Sequence, residues 1–205
     1  MDPQTKIELG RAQEMHEFIA DKIAGKYPSD DRAVLFASFL SLAQSHHEAI
    51  LVLCQNDQLM GSAYALYRPL VEVVNRGLFV AFLATPEQIR QIKRGRTPYG
   101  EFNQLVKRLD KFFSTKSLFS GHAGEAWKKM CGFTHGGVEQ LIWRVGANGE
   151  IGCHFQQSDI QRLLASSTGE LFKIAFQFAG GLIGKDAAEV ISAKYISIYS
   201  DKTES

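Results

Sequence analysis

The chain has 205 residues, of which 45% are hydrophobic, and a formal net charge of +1. This length supports one hydrophobic core, so we expect a single domain over residues 1–199 and a disordered tail over 200–205. Charged residues interrupt every long apolar run, and residues 1–22 lack the apolar block of a signal peptide, which argues against a membrane span. Three cysteines without a CxxC pair argue against a disulfide framework, so we expect a cytoplasmic protein.

Hydrophobic periodicity predicts helices along most of the chain. In chain order they span about 5–25, 31–55, 59–84, 86–94, 101–114, 122–136, 158–184 and 186–199. Apolar residues at 138–145 either continue the helix over 122–136 or begin a new one. A turn at 147–150 followed by apolar residues allows one small hairpin near 151–155. Because alternating strands are otherwise missing from the pattern, we predict an all-α, single-domain bundle of about seven or eight helices.

Two helix starts carry clear capping signals. Ser29, Asp30 and Asp31 offer an N-cap to the second helix. The sequence Thr85-Pro86-Glu87-Gln88 is a capping box with proline at the first helical position, which predicts a short helix after it.

A polar ladder crosses the otherwise apolar third helix. Arg68, Glu72 and Arg76 are four residues apart and Asn75 lies beside them, so a cation, an anion and a second cation share one helix face. Apolar residues surround the ladder, which predicts that it faces protein or a cleft. Charged side chains in such a place must be paired with opposite charges or take part in binding or catalysis.

A second candidate segment is Phe133-Thr134-His135-Gly136-Gly137. The two glycines remove side-chain bulk beside His135, which would let a substrate approach a catalytic imidazole. The alternative is a helix C-cap, where glycine and histidine are both common. Gln140 and Arg144 follow at helical spacing and could line the same wall, or Arg144 could be a surface residue.

The remaining histidines and cysteines do not predict a metal site. Cys131 and His135 are four apart and Cys153-His154 lie downstream, but no standard zinc spacing is met. His47, next to Glu48, is interpreted as a polar helix face or a site wall. With no P-loop, nucleophile elbow or HExxH motif present, we expect neither a metal nor a cofactor.

Positive charge is concentrated in one part of the chain. Residues 90–129 hold ten Lys/Arg and three Asp/Glu, a local charge of +7, which leaves −6 for the rest. Such a segment favours a polyanionic partner such as RNA or DNA, because phosphate neutralisation drives binding. The alternative is that these charges cover the solvated faces of two surface helices.

The segments Ser62–Glu72 with Arg76-Gly77, and Phe133–Gly137 with Gln140, resemble a set of uncharacterised bacterial helical proteins. Those proteins are in turn similar to the HEPN superfamily (higher eukaryotes and prokaryotes nucleotide-binding). The resemblance covers about residues 40–145 and rests on short motifs. It implies a helical bundle that often dimerises and, for many members, a metal-independent ribonuclease of toxin–antitoxin, CRISPR or phage-defence systems. RNA, a second copy of the chain, and an antitoxin or defence partner are the implied partners.

The usual HEPN signature is an arginine followed by four to six residues and a histidine, and this chain departs from it. The eligible positions before His135 hold Lys128, Lys129 and Met130, and lysine replaces the arginine fork poorly. If the chemistry is retained, the catalytic group would be His135 with Arg68, Glu72 and Arg76. The substrate-binding group would be Lys128, Lys129, Gln140, Arg144 and His47.

A non-catalytic role is the other hypothesis. In that interpretation the chain is a dimerisation or regulatory module, and the Arg68–Glu72–Arg76 ladder is an internal ion-pair network. The segment Ala175–Gly184 bears on assembly, since it is rich in small and apolar residues that must be buried. Its burial is either internal or in a two-fold interface, and we predict a homodimer.

Overall fold

In the computed structural model, which describes residues 1–26 and 28–200, the chain folds into nine α-helices. They are α1 (Pro3–Ile23), α2 (Asp31–Leu53), α3 (Met60–Phe82), α4 (Pro86–Lys93), α5 (Phe102–Phe113), α6 (Glu125–Thr134), α7 (Val138–Ile142), α8 (Gln157–Phe178) and α9 (Lys185–Tyr199). The all-α prediction is confirmed. The additional helix is the short α7, so of the two alternatives for residues 138–145 the new helix is the one found. The expected hairpin is reduced to one antiparallel bridge between Val145 and Ile151.

The predicted capping signals operate in the structure. The side chain of Asp30 accepts a hydrogen bond from the backbone N–H of Ala33 at 3.0 Å. Thr85 and Gln88 form the full capping box, with each side chain bonded to the other residue's backbone N–H. These bonds satisfy N–H groups that the first turn of a helix leaves without a partner.

The core lies between α2, α3 and α8, with α1 against α8. Helix α3 is the most deeply embedded, because its apolar residues occupy most of its circumference. Asn75 is fully buried within it and donates its amide hydrogen to the Val71 carbonyl oxygen at 2.7 Å. Among the described helices, none is both long enough and apolar enough to cross a bilayer.

The segment Ala175–Gly184 is buried inside the chain over its first half. Ala175, Phe178 and Ala179 are core residues. Gly180 and Gly181 are exposed in the turn of π-helix, Ala179–Ile183, that joins α8 to α9, and Gly184 is exposed just after it. The burial of the apolar residues therefore needs no second copy. Of the predicted disordered tail, Ser200 caps the end of α9, and residues 201–205 lie outside the described residues.

Gly77 lies where α3 packs closely against α2 and α8. A Cβ added there would be 2.8 Å from Phe39 Cβ and 2.8 Å from Ile174 Cδ1. Because Phe39 Cβ can move only with its backbone, Gly77→Ala should lower the free energy of unfolding by about 1–3 kcal/mol, despite the higher helix propensity of alanine. Urea denaturation measures the change.

The matched control for this substitution is Gly10→Ala in α1. Gly10 is also helical, but nothing lies within 4 Å of its added Cβ. It should therefore gain up to about 1 kcal/mol of stability from helix propensity alone. Equal effects of the two substitutions would contradict the close packing at Gly77.

Candidate functional site

The predicted ladder on α3 is a complete ion-pair network. Arg68 Nη2 lies 2.9 Å from one carboxylate oxygen of Glu72, and Arg76 Nη2 lies 2.8 Å from the other. The side chains of Arg68 and Glu72 are 20% and 16% exposed, whereas that of Arg76 is 39% exposed. The ladder is therefore shielded at Arg68 and opens toward solvent at Arg76.

Arg68 also reaches the histidine that the sequence singled out. Its Nη1 lies 2.6 Å from Nε2 of His135, which is itself exposed. An arginine can only donate hydrogen bonds, so Nε2 must accept and the ring proton must be on Nδ1. The structure thus brings Arg68, Glu72, Arg76 and His135 into one continuous network.

Aromatic rings hold both guanidinium groups in place. The Arg68 guanidinium lies 4.8 Å from the centre of the Trp127 ring, and Trp127 stacks on Phe102 at 3.7 Å between ring centres. Arg76 lies 5.3 Å from the ring of Tyr99. Cation–π contacts of this kind fix the plane of the guanidinium group, which prepares it to meet a planar or tetrahedral anion.

The glycines after His135 form a helix C-cap, as one of the two interpretations expected. His135 is the capping residue, Gly136 has a positive φ of 66°, and the N–H of Gly137 donates to the Gly132 carbonyl at 2.7 Å. This is the hydrogen-bond pattern of a Schellman motif. The cap does not compete with the functional interpretation, because it leaves the His135 side chain exposed at the end of α6.

Pro69 accounts for a hydrogen bond that joins α6 to α3. Proline has no N–H, so the carbonyl oxygen of Ala65, four residues earlier, loses its helical donor. The hydroxyl of Thr134 supplies a donor instead, 3.2 Å from that oxygen, and is shared with the Met130 carbonyl at 2.9 Å. Since Thr134 precedes His135, this bond fixes the position at which His135 meets Arg68.

A cleft of about 380 Å³ lies next to this network, between α3, α6, α7 and α8. Two of its lining residues, Tyr64 and Tyr67, belong to α3, and two more, Lys129 and Phe133, belong to α6. Burial raises the pKa of both tyrosine hydroxyls, so both keep their protons at neutral pH. The remaining lining residues are Glu139, Ile142, Trp143, Asp159, Arg162, Leu163 and Ser166.

A family model described as "Family of unknown function (DUF6988)" matches residues 40–203, which is most of the chain. The chain belongs to this family. The DUF6988 match includes α3 and α6, and therefore every residue of the Arg68–His135 network. No curated protein and no solved structure showed a significant match. The expectation of an uncharacterised family is confirmed, and the relationship to HEPN proteins stays a prediction.

The predicted substrate-binding residues of this DUF6988 chain are only partly gathered at the site. Lys129 is exposed on the cleft, whereas Lys128 is exposed and pairs with Glu125 at 2.7 Å. The amide of Gln140 donates to the carbonyl oxygen of Phe133, and the guanidinium of Arg144 packs against Gly61 at the start of α3. Gln140 and Arg144 thus hold α7 against the neighbouring helices and make no hydrogen bond to His135 within the described residues.

His47 is not a wall of this site, contrary to the sequence-based hypothesis. It is fully buried, and its ring nitrogens face His16 Nδ1 and Thr168 Oγ1, each at 3.1 Å. Its position next to Glu48 suggested a polar face, but helical spacing puts His47 on the buried face of α2 with Leu40 and Ala43. Its partner residues come from α1 and α8, which the sequence of α2 does not reveal. A histidine with partners on both nitrogens in the core has a structural role.

The basic segment of the DUF6988 chain is exposed along α4, α5 and the loops that follow them. Arg90 pairs with Glu87, and Lys93 pairs with Asp31. Other cations of the segment are exposed and have no ion pair within the described residues: Arg94, Arg96, Lys107, Arg108, Lys111, Lys116 and Lys129. These side chains are available to a polyanion.

Proposed function

We propose that this DUF6988 protein is a HEPN-like RNA-acting protein that cleaves RNA without a metal ion. The observation that carries the proposal is the 2.6 Å contact between Arg68 and the exposed His135. It pairs a group that can move a proton with a cation that can hold a phosphate, which are the two elements that phosphodiester transesterification needs.

The proposed reaction begins when an RNA phosphate takes the place of His135 as the acceptor of the Arg68 hydrogen bond. Nε2 of His135 is then free to remove the proton of the ribose 2′-hydroxyl. The 2′-oxygen attacks phosphorus, the bond to the 5′-oxygen breaks, and a 2′,3′-cyclic phosphate forms while the 5′-oxygen takes a proton from water. The hydroxide left behind takes the proton from the His135 imidazolium, which returns the histidine to its starting form. Arg68, Arg76 and Lys129 stabilise the negative charge of the pentacoordinate phosphorus.

Trp127 was missed as a site residue by the sequence analysis, and the reaction gives it a role. It lies on α6 with His135 and stacks on the Arg68 guanidinium. The ring holds the guanidinium in one plane beside the imidazole. Arg68 can therefore donate a hydrogen bond to His135 before RNA binds and to the phosphate afterwards. The exposed cations of residues 90–129 would bind the phosphates on either side of the scissile one.

The direct test is incubation of the purified protein with end-labelled single-stranded RNA, with and without EDTA. We expect cleavage that EDTA does not reduce and that His135→Ala lowers by about 100-fold or more, the effect of losing a general base. Arg68→Lys should lower cleavage less than Arg68→Ala, since lysine keeps the charge but loses the fork.

His46→Ala and Arg90→Ala are the matched controls for the cleavage test. His46 is a partly exposed histidine of α2, and Arg90 is an exposed arginine paired with Glu87 on α4. Both variants should cleave as the wild type does. Absence of cleavage by the wild type, or equal cleavage by His135→Ala, would refute the ribonuclease proposal.

One observation supports the second candidate, a non-catalytic dimerisation or regulatory module. Glu72 binds both arginines through its two oxygens, so the network is already neutralised in part without any ligand. In that case the ladder stabilises the contact of α3 with α6, and RNA binding would be absent. The stability of Glu72 variants measures this contribution directly.

We also propose, from the family resemblance, that the protein works as a cytoplasmic homodimer with an antitoxin or phage-defence partner. The core of the described residues is complete within one chain, so the dimer would form on an outer surface and not through Ala175–Gly184. Light scattering at micromolar concentration should give twice the chain mass of 22.8 kDa. A measured mass equal to that of one chain would refute the dimer.

A further inference from the structure

The cleft beside Arg68 and His135 contains chemistry that the proposed cleavage reaction does not use. Tyr64 of the cleft lies four residues before Arg68 on α3, so the two side chains share one helix face, and Lys129, a proposed phosphate-binding residue, also lines this cleft. Its volume of about 380 Å³ is within the range of small-ligand sites. A group next to the scissile phosphate of a bound RNA would therefore enter this cleft.

Aromatic rings form a continuous row along the cleft. Phe133 stacks with Tyr64, Tyr64 with Phe155, and Phe155 with Trp143, at 5.0, 5.0 and 4.9 Å between ring centres. The interplanar angles are 28°, 17° and 5°. Three of the four rings line the cleft. Phe133 and Trp143 are the end rings, so each keeps one face that the row does not cover, and both line the cleft. Stacking on such aromatic faces is how proteins hold unpaired nucleobases, which identifies the class of ligand that this cleft suits.

Glu139 is the polar group that would read the base. Its carboxylate lies over Gly132, so close that an added Cβ on Gly132 would overlap it, and it lines the cleft. Glu139 has neither a hydrogen bond nor an ion pair with any described residue. Asp159, the other acid of the cleft, is already paired with Arg162. The Glu139 carboxylate is partly exposed and faces the cleft, so it can accept hydrogen bonds from a ligand there.

We infer that the cleft is a specificity pocket for guanine. A carboxylate accepts two parallel hydrogen bonds, and guanine presents two neighbouring donors, N1–H and the 2-amino group, on its Watson–Crick edge. Adenine and cytosine present a single amino group there, and uracil a single N–H. Tyr64 adds a hydroxyl that has no hydrogen-bond partner in the described residues and that stays protonated, a donor suited to guanine O6.

Two glycines near the end of α6 leave room for the Glu139 carboxylate. They are Gly137, which belongs to the His-Gly-Gly segment, and Gly132, because Cβ atoms added to either would lie within 3 Å of that carboxylate. The same short segment therefore sets the position of the catalytic histidine and of the base-reading carboxylate.

This inference rests on the proposed action on RNA, so its test separates binding from cleavage. The protein is the full chain carrying His135→Ala, which cannot cleave the probe. The probes are four labelled uridine heptamers whose central base is G, A, C or U, and fluorescence anisotropy gives their Kd values. We expect the G probe to bind about tenfold more tightly than the other three, the discrimination typical of one bidentate contact.

Adding Glu139→Gln should reduce the preference for G, the ratio of the Kd of the U probe to that of the G probe, to less than about twofold, because an amide offers one acceptor and one donor. Glu150→Gln is the matched control, since Glu150 also packs over a glycine, Gly146, but lies outside the cleft. Thermal melts of both variants show that they are folded. Equal affinity for all four probes, or a G preference that survives Glu139→Gln, would overturn the guanine pocket alone.

A second measurement keeps the two proposals distinguishable. GMP and AMP are titrated into the full chain, and the quenching of Trp143, which lines the cleft, is followed by comparison with Trp143→Phe. If GMP binds but the wild-type protein leaves RNA uncleaved, the result would support the guanine pocket and refute the ribonuclease proposal. Failure of both GMP and the G probe to bind would refute the pocket, whatever the cleavage assay shows.

Discussion

Replacing Glu72 by glutamine should lower the free energy of unfolding by about 2–4 kcal/mol, because it leaves the shielded Arg68 and the more exposed Arg76 to share one neutral oxygen. The wild-type carboxylate binds Arg68 at 2.9 Å and Arg76 at 2.8 Å and is only 16% exposed. The greater exposure of Arg76 places the expected loss below that of a fully buried network. For a chain of this length the melting temperature should fall by roughly 5–15 °C.

Glu87→Gln is the control for this prediction. Glu87 also pairs with an arginine on the same helix, Arg90, but both side chains are more than half exposed. Such a pair contributes little, so the melting temperature should not change measurably. If both variants melt at the wild-type temperature, Glu72 lines an open surface and the network contributes no stability, which would also remove the main support for the non-catalytic hypothesis.

The ladder variant bears on function as well. Without Glu72, Arg68 is free to approach a phosphate, but it is also free to leave His135. We therefore expect Glu72→Gln to weaken RNA cleavage while RNA binding is retained or increased. The comparison separates a positioning role for Glu72 from direct contact with the substrate.

The all-α class and most helix ends were predictable from the sequence because they follow from local signals. Periodic apolar residues gave α1, α2, α3, α5 and α8, and the capping boxes marked where helices begin. The ladder was predictable for the same reason, since a spacing of four residues on one helix determines which side chains meet. Its meeting with His135 was an expectation that needed the tertiary structure to test.

Other parts of the site depend on contacts between distant segments. Trp127 gives no local sign that it will stack on Arg68, and the Thr134 hydroxyl gives none that it will bond the Ala65 carbonyl. Pro69 provided the available signal, since a proline inside a helix leaves a carbonyl that another residue must satisfy. Glu139 was overlooked because its proposed binding role depends on the glycines and aromatic rings that surround it in the folded chain.

His47 shows the opposite error, in which a local pattern was overinterpreted. Two adjacent histidines and a glutamate on a helix resemble a polar face. The structure instead buries His47 against His16 from α1 and Thr168 from α8, with the two imidazole rings stacked at 5.3 Å between centres. The pair is a structural contact with a consequence for pH dependence.

Acidification should destabilise the protein through this pair well before carboxylates are protonated. The Nδ1 atoms of His16 and His47 are 3.1 Å apart, so one of them donates a hydrogen bond and the other accepts it. A second proton on this pair would make both nitrogens donors and remove the hydrogen bond. Burial, together with the nearby His16, lowers the pKa of His47 to about 3, and burial lowers the pKa of His16 despite the opposing effect of Glu48 and Glu17.

The direction of the effect follows from the pKa values of the folded and unfolded chains. Above pH 6.5, the ordinary histidine value, both states are neutral at His47 and the pair imposes no penalty. As the pH falls below 6.5, His47 binds a proton in the unfolded chain but not in the folded chain. The free energy of unfolding therefore decreases progressively down to about pH 3. Between pH 7.5 and 5 the loss from His47 alone should be about 2 kcal/mol.

Urea denaturation at half-unit intervals from pH 7.5 to 5 measures this slope. His47→Gln, which keeps a hydrogen-bonding group beside Thr168 but cannot titrate, should be less stable at pH 7.5 and lose less stability on acidification than the wild type. His46→Gln is the control one position earlier on α2, where burial lowers the pKa of a less buried ring, and it should change the slope less. A wild-type stability that is constant over this range would contradict a neutral buried pair, because uptake of protons by the unfolded chain at His16 and His47 must then be matched in the folded one.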